Sequence, residues 1–276
     1  MNAIFDEQKL KEKIVKMAND GAQKLHILAD FDKTLSEISY INNKPVTSIV
    51  GLIRAGGHLS PEYASAAYAL FEKYAPLEHD QTIPRSERMI KMQEWWIKHS
   101  ELLIQSKLNK KNMDDAMTAG HLKLREGVIE AFQLLHKYNV PVVIMSGGPA
   151  YMIQKQLELS GIMTGNIHIV ANYYEYDAEG FMTNYKQPII NSQNKYEIIL
   201  RQFPFFNQLT ERTNVILLGD QIDDLGMIEG FDYENLLTFV FANEKENEEV
   251  FSKKFDVVIK EKGNFNFVND ILKQIL

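Results

Sequence analysis

The chain has 276 residues, enough for one large domain or a core with a sizeable insertion, and its 45% apolar and 24% charged content allows an ordinary hydrophobic core. A net charge of -7 argues against a general affinity for nucleic-acid polymers, while leaving room for a local basic pocket around one phosphate. With no cysteine, disulfides, thiol nucleophiles and thiolate metal sites are excluded.

The opening stretch MNAIFDEQKLKEKIVKMANDG carries charge throughout and has no apolar signal region. Its residues Ile4, Phe5, Leu10, Ile14, Val15 and Met17 fall near helical spacing, which predicts a leading amphipathic helix that stops at Asn-Asp-Gly. No stretch approaches the roughly 18 to 20 apolar residues that span a bilayer. A cytoplasmic monomer without membrane attachment is the expectation.

KLHILADF follows, a short apolar run without helical period that reads as a buried strand. Asp30 and Asp32 at its tip repel each other when both are ionised. That is tolerable if a cation sits between them, if both stay wet, or if one holds a proton. Standing alone, a D-x-D-x-T string is more often a solvated turn than a working site.

Residues 44–120 change character. SPEYASAAYALFEKYAP, PRSERMIKMQEWWIKHSELLIQSKL and NMDDAMTAG all have helical spacing with start signals, and no strand is expected among them. From residue 121 helices and strands alternate: EGVIEAFQLLHKYN before VPVVIMSGG, PAYMIQKQLELSG before NIHIVANYYEYD, NKYEIILRQFPFFNQL before TNVILLGD, then LTFVFA and FDVVIK. Alternation of this kind predicts an α/β fold, a Rossmann-like doubly wound parallel sheet built from residues 1–43 and 121–276. Residues 44–120 then form an inserted helical cap over the carboxyl ends of the strands.

Open sheets of this type bind ligands just outside those ends. Three predicted strands finish there in ILADFDKT, VVIMSGG and VILLGDQIDD. Hard carboxylate oxygens suit Mg²⁺, so Asp30 and Asp220 are the natural ligand candidates, with Asp223 and Asp224 nearby. Ser146, Gly147 and Gly148 open a helix and offer a hydroxyl and backbone N–H groups to an anion. A lysine would complete the set, either Lys195 or Lys186. Asp30 can attack phosphorus, and Asp32 can protonate the leaving alkoxide and then deprotonate water, which makes a phosphatase.

These residues resemble a known family. DFDKT, MSGG and GDQIDD look like motifs of the haloacid dehalogenase-like hydrolases, in the expected order. Within that superfamily HILADFDKTLS, EKYAPLEHD, EWWIKHSELL, SGG, NK and ILLGDQIDDL resemble strings of the cytosolic 5'-nucleotidase III (pyrimidine 5'-nucleotidase) group. The resemblance implies that Asp30 is the nucleophile and Asp32 the acid/base. It implies that Asp30, the Asp32 carbonyl and Asp220 hold Mg²⁺ with support from Asp224, that Ser146 and Gly147 bind phosphate, and that Lys195 is the motif-three lysine. The substrate implied is a nucleoside 5'-monophosphate such as CMP or UMP, or 7-methylguanosine monophosphate, with Glu78 accepting hydrogen bonds from the base and Trp96 stacking on it. Lys33 stands where the group more often has methionine, and SGG where it has SAG. The competing readings are a small-metabolite phosphatase on the same scaffold and a noncatalytic nucleotide-binding protein.

Overall fold

The structure is a computed structural model that describes residues 2–78, 80, 82–195, 200, 203–229 and 232–276. The helix expected from Ile4 onward begins later. Ala3–Phe5 forms an edge strand, β1, and helix α1 (Glu7–Asp20) starts after Asp6, whose side chain accepts from the Lys9 N–H at 3.1 Å. That cap fixes the boundary, because it satisfies one of the N–H groups the first turn leaves open. The expected stop holds, with Gly21 at φ 77° donating to the Met17 carbonyl.

Strand β2 (Leu25–Ala29) is buried throughout. A hairpin follows, β3 (Ser39–Ile41) with β4 (Lys44–Val46), so the region from residue 44 is not purely helical as expected. Asn42 and Asn43, both at positive φ, make its two-residue turn, a signal the helical reading passed over. Helices α2 (Gly51–Ala55), α3 (Pro61–Glu78), α4 (Arg85–Gln105) and α5 (Lys110–Thr118) come next.

The alternating half supplies α6 (Val128–Lys137), β5 (Val142–Pro149), α7 (Ala150–Leu159) and β6 (Ile167–Asn172). The expected long strand NIHIVANYYEYD breaks after Asn172. Its end forms β7 (Tyr174–Tyr176), which leaves the main sheet to pair with β8 (Met182–Tyr185). Of the helix expected over NKYEIILRQFPFFNQL, residues 196–199, 201 and 202 lie outside the described residues, and Pro204–Gln208 is a short 3₁₀ turn. Strands β9 (Asn214–Gly219) and β10 (Asn235–Phe241), helix α8 (Glu248–Ser252), β11 (Val257–Ile259) and helix α9 (Asn266–Ile275) complete the chain.

The seven-stranded sheet runs β1-β11-β10-β9-β2-β5-β6, parallel except where β1 joins β11. Both faces are covered, which is why the strands are apolar runs and not alternating ones. Ile27, Ala29, Ile144, Ile216 and Leu218 face a core shared with α1, α6, α7 and α9. Leu28, Val143, Met145, Val215 and Leu217 face a second core with Leu200, Leu209, Met227, Phe251 and Phe255. Residues Leu52, Ile53, Tyr63, Leu103 and Met113 of the helical block join the first core.

Arg125 pins the turn after β2. It donates to the carbonyls of Lys33 (2.5 Å), Thr34 (3.0 Å) and Gly263 (2.8 Å), and to Asn243 Oδ1 at 3.0 Å. Replacing it leaves buried acceptors unmatched, so Arg125→Met is expected to cost about 2 to 4 kcal/mol of stability. Urea denaturation measures this, and a loss below about 0.5 kcal/mol would contradict the clamp.

Candidate active site

The three central strands β9, β2 and β5 deliver their tips side by side. The Asp30 N–H donates to the Leu218 carbonyl at 2.9 Å, carrying the ladder one residue past β2 and fixing Asp30 beside β9. The chain then turns, with Lys33 at φ 61° and the Ser36 N–H closing onto the Phe31 carbonyl at 3.0 Å. Asp30 and Asp32 therefore lie just past the strand and not within it. The strand ends at Ala29 and the pair sits on the turn beyond it, where both still line one cavity.

Asp220 follows β9 directly. Asp224, in the 3₁₀ turn Ile222–Ile228, folds back so that its Oδ2 accepts from the N–H groups of Asp220 (2.9 Å) and Gln221 (3.0 Å). A Cβ on Gly219 would come within 2.6 Å of the Asp224 side chain, so this return requires glycine. Of the two adjacent carboxylates, Asp224 is the one these contacts bring beside Asp220 and Asp30. Asp223, which also lines the cavity, accepts from Gln193 Nε2 at 2.8 Å, with Arg88 Nη1 at 4.0 Å.

Lys195 joins the tips. Its buried ammonium donates to Asp30 Oδ1 and, at 2.8 Å, to Asp224 Oδ1. Lys186 is exposed and lies near the Tyr173 ring, away from the cavity. Lys33 reaches Asp220 Oδ2 at 2.6 Å, a second cation that spacing did not assign. Its only sequence signal was its presence where the resembled group has methionine.

Burial lifts the Asp30 carboxyl well above the usual carboxylate range, against the pull of Lys195. Burial also pushes Asp32 up to about 7, although the Ile49 N–H donates to it at 2.7 Å. Burial acts in the same sense on Asp220, but Lys33 and the Gln221 amide outweigh it and hold that carboxyl below the usual range. Asp30, Asp220 and Asp224 each offer an oxygen within 4.8 Å of the others, a buried acidic triad able to coordinate a divalent metal. The Asp32 carboxylate is not among them. Asp30 Oδ2 is buried with no hydrogen-bond partner, as expected of an atom that awaits a cation or substrate.

Ser146 and Gly147 lie in the last residues of β5, with the helix starting only at Ala150, so they precede the helical turn and do not open it. Ser146 Oγ accepts from the Gly148 N–H at 3.0 Å, and Asn172 Nδ2 holds the Gly147 carbonyl at 2.6 Å. Neither Asn172 nor Gln193 carried a motif signal. A cavity of about 160 Å³ connects this floor to a wall from the helical block, where Glu78 ends α3 and Trp96 is half-buried on α4. Trp95 stacks on Tyr74 with ring centroids 6.0 Å apart and lies 6.5 Å from Trp96, and both half-buried indoles border the cavity.

A doubly wound sheet with this carboxylate, lysine and glycine constellation at its central strand ends is a haloacid dehalogenase-like phosphohydrolase core. The same fold recurs in a phospho-aspartyl intermediate analogue of phosphoserine phosphatase, at TM-score 0.55 and 18% identity over 92% of this chain and 99% of that one. It recurs more fully in cytosolic 5'-nucleotidase IIIB bound to cytidine, at TM-score 0.86 and 22% identity over 99% and 93%. The chain belongs to the pyrimidine 5'-nucleotidase (UMPH-1) family, whose model matches residues 33–276. That match begins one residue after Asp32. The human 7-methylguanosine phosphate-specific 5'-nucleotidase is 32% identical over 271 residues, 97% of this chain and 90% of its own. The chain is thus a hydrolase of phosphate monoesters, a 5'-nucleotidase. Among the described residues no helix is long and apolar enough to cross a membrane.

His99 closes the cavity wall, with Nε2 3.1 Å from the Tyr63 hydroxyl, and burial with the Arg54 charge lowers its pKa to about 4. An imidazole neutral in the fold but protonated when unfolded gives stability that is complete above pH 6.5 and lost as pH falls toward 4. Denaturation between pH 7 and 4 should show the native chain losing about 3 kcal/mol more than His99→Phe. Parallel curves would contradict this.

Proposed function

We propose that the chain hydrolyses nucleoside 5'-monophosphates with Mg²⁺, CMP and UMP foremost and 7-methylguanosine monophosphate as the further candidate. The observation that carries this reading is the single cavity joining the buried acidic triad to the aromatic wall with Glu78. Residues 44–120 act as the cap that closes over the substrate.

The donors fit the ion. They are hard carboxylate oxygens, one of them buried and unpartnered, and the site's four carboxyls exceed its two ammonium groups by two negative charges when all are ionised. Asp30, Asp220 and Asp224, with the Asp32 carbonyl, would hold Mg²⁺, which when bound offsets the phosphate's charge and allows an anionic nucleophile to approach it.

Asp30 attacks phosphorus, and the ester P–O bond breaks as an aspartyl-phosphate forms. Asp32, pushed up to about 7, holds a proton to give the departing alkoxide and afterwards takes one from the attacking water. Lys195 holds the Asp30 carboxylate in place, while Ser146 and Gly147 bind the phosphoryl oxygens. Glu78 accepts from the base and Trp96 supplies the face on which it stacks.

Phosphate release with Mg²⁺ should be rapid from nucleoside monophosphates and slow from glucose 6-phosphate and phosphoserine. Chelation should abolish it, and Asp30→Asn should lower it about a thousandfold or more. Glu78→Ala should erase base preference. Equal turnover of sugar phosphates would favour the small-metabolite phosphatase, and no turnover of any ester would favour a noncatalytic binding protein.

A further inference from the structure

The cap wall carries a cation that the chemistry above does not use. Arg54 lies on α2, 7% exposed, and lines the cavity with Phe71, Glu78 and Trp96. Its guanidinium sits over the Phe71 ring at 4.1 Å and the Tyr68 ring at 5.4 Å. The Tyr68 side chain also hydrogen-bonds to it, which takes part of the guanidinium's donor edge. Along that edge Nε is buried and has no partner.

No carboxylate among the described residues pairs with Arg54, and the ionisable groups that act on it are Tyr63 and Tyr68. The two core cations are committed elsewhere, Lys33 to Asp220 and Lys195 to Asp30 and Asp224. His99, on the same wall, is neutral at pH 7. A buried charge with an open donor and no counterion is costly unless a ligand completes it.

We infer that Arg54 is a specificity residue of the base pocket: it selects uncharged bases that carry a ring carbonyl and rejects cationic ones. The inference rests on the nucleotidase reading and decides between its candidates. A guanidinium edge donates to carbonyl oxygen, as Arg does to guanine O6, while the Glu78 carboxylate accepts from a ring or exocyclic N–H. Uracil, cytosine and guanine present both kinds of group. Adenine has no carbonyl. 7-Methylguanine has one but carries a positive charge, which meets the like charge of Arg54 in a pocket of low dielectric. Glu78 and the indole would welcome that cation, so Arg54 sets the preference.

The test compares kcat/KM for UMP, AMP and 7-methylguanosine monophosphate in the native chain, Arg54→Met and Arg54→Lys, with circular dichroism to confirm folding. Ratios within each variant are independent of its total activity. The native chain should prefer UMP to both others. In Arg54→Met the preference for UMP over the methylated nucleotide should fall at least tenfold. Arg54→Lys keeps the charge and loses the fork, so it should still reject the cationic base while its preference for UMP over AMP narrows. A native preference for the methylated nucleotide, or ratios within twofold of native in both variants, would overturn the role of Arg54 alone. Failure of the native chain to hydrolyse any nucleotide, with sugar phosphates turned over, would instead remove the nucleotidase reading and this inference with it.

Discussion

Everything at the carboxyl end of the sheet is arranged around electrostatic repulsion. Asp30, Asp32, Asp220 and Asp224 are gathered where little water can separate them, and the arrangement stands because each carboxylate has a cation or an N–H group assigned to it. Lys195 bridges two carboxylates, Lys33 takes a third, and the backbone of Asp220 and Gln221 takes the far side of Asp224. Removing one partner from such a cluster leaves a buried charge uncompensated, which costs far more than a surface ion pair contributes. Asp30 Oδ2 is buried with no partner, on a residue that lines the cavity.

The turn that presents this cluster is held from outside it. Arg125 and Asn243 both grip the Lys33 carbonyl, so a residue at positive φ is stabilised by groups far away in sequence. Lys33 can then extend its ammonium to Asp220. The position of a charge at the centre of the site is thereby set by hydrogen bonds made at its rim.

Much of this was legible in the sequence, for identifiable reasons. Apolar runs ending in Asp30, Ser146 and Asp220 located the three strand tips because strands buried on both faces leave an unbroken apolar signature. The helical spacing of α3 and α4 was equally plain. Short pieces were not: β1 merged with the helical pattern of α1, and β4 and α2 are too short to establish a period. In the site, motif positions found the carboxylates, but spacing could not separate Asp223 from Asp224 or Lys195 from Lys186. Those distinctions depend on a backbone return and on contacts between distant segments. Arg54 had no motif at all, and only the rings packed on it make its position meaningful.

Gly147 has a neighbour that gives its small size a second meaning. A Cβ there would stand 3.3 Å from Trp96 Cζ2, so the space that an alanine methyl would take beside Ser146 is filled by the edge of an indole from α4. The cavity floor from the sheet and the wall from the helical block thus meet through one shared volume. Side-chain size at position 147 and ring position at 96 are not independent variables, and drift at either is constrained by the other across the seam between sheet and helices.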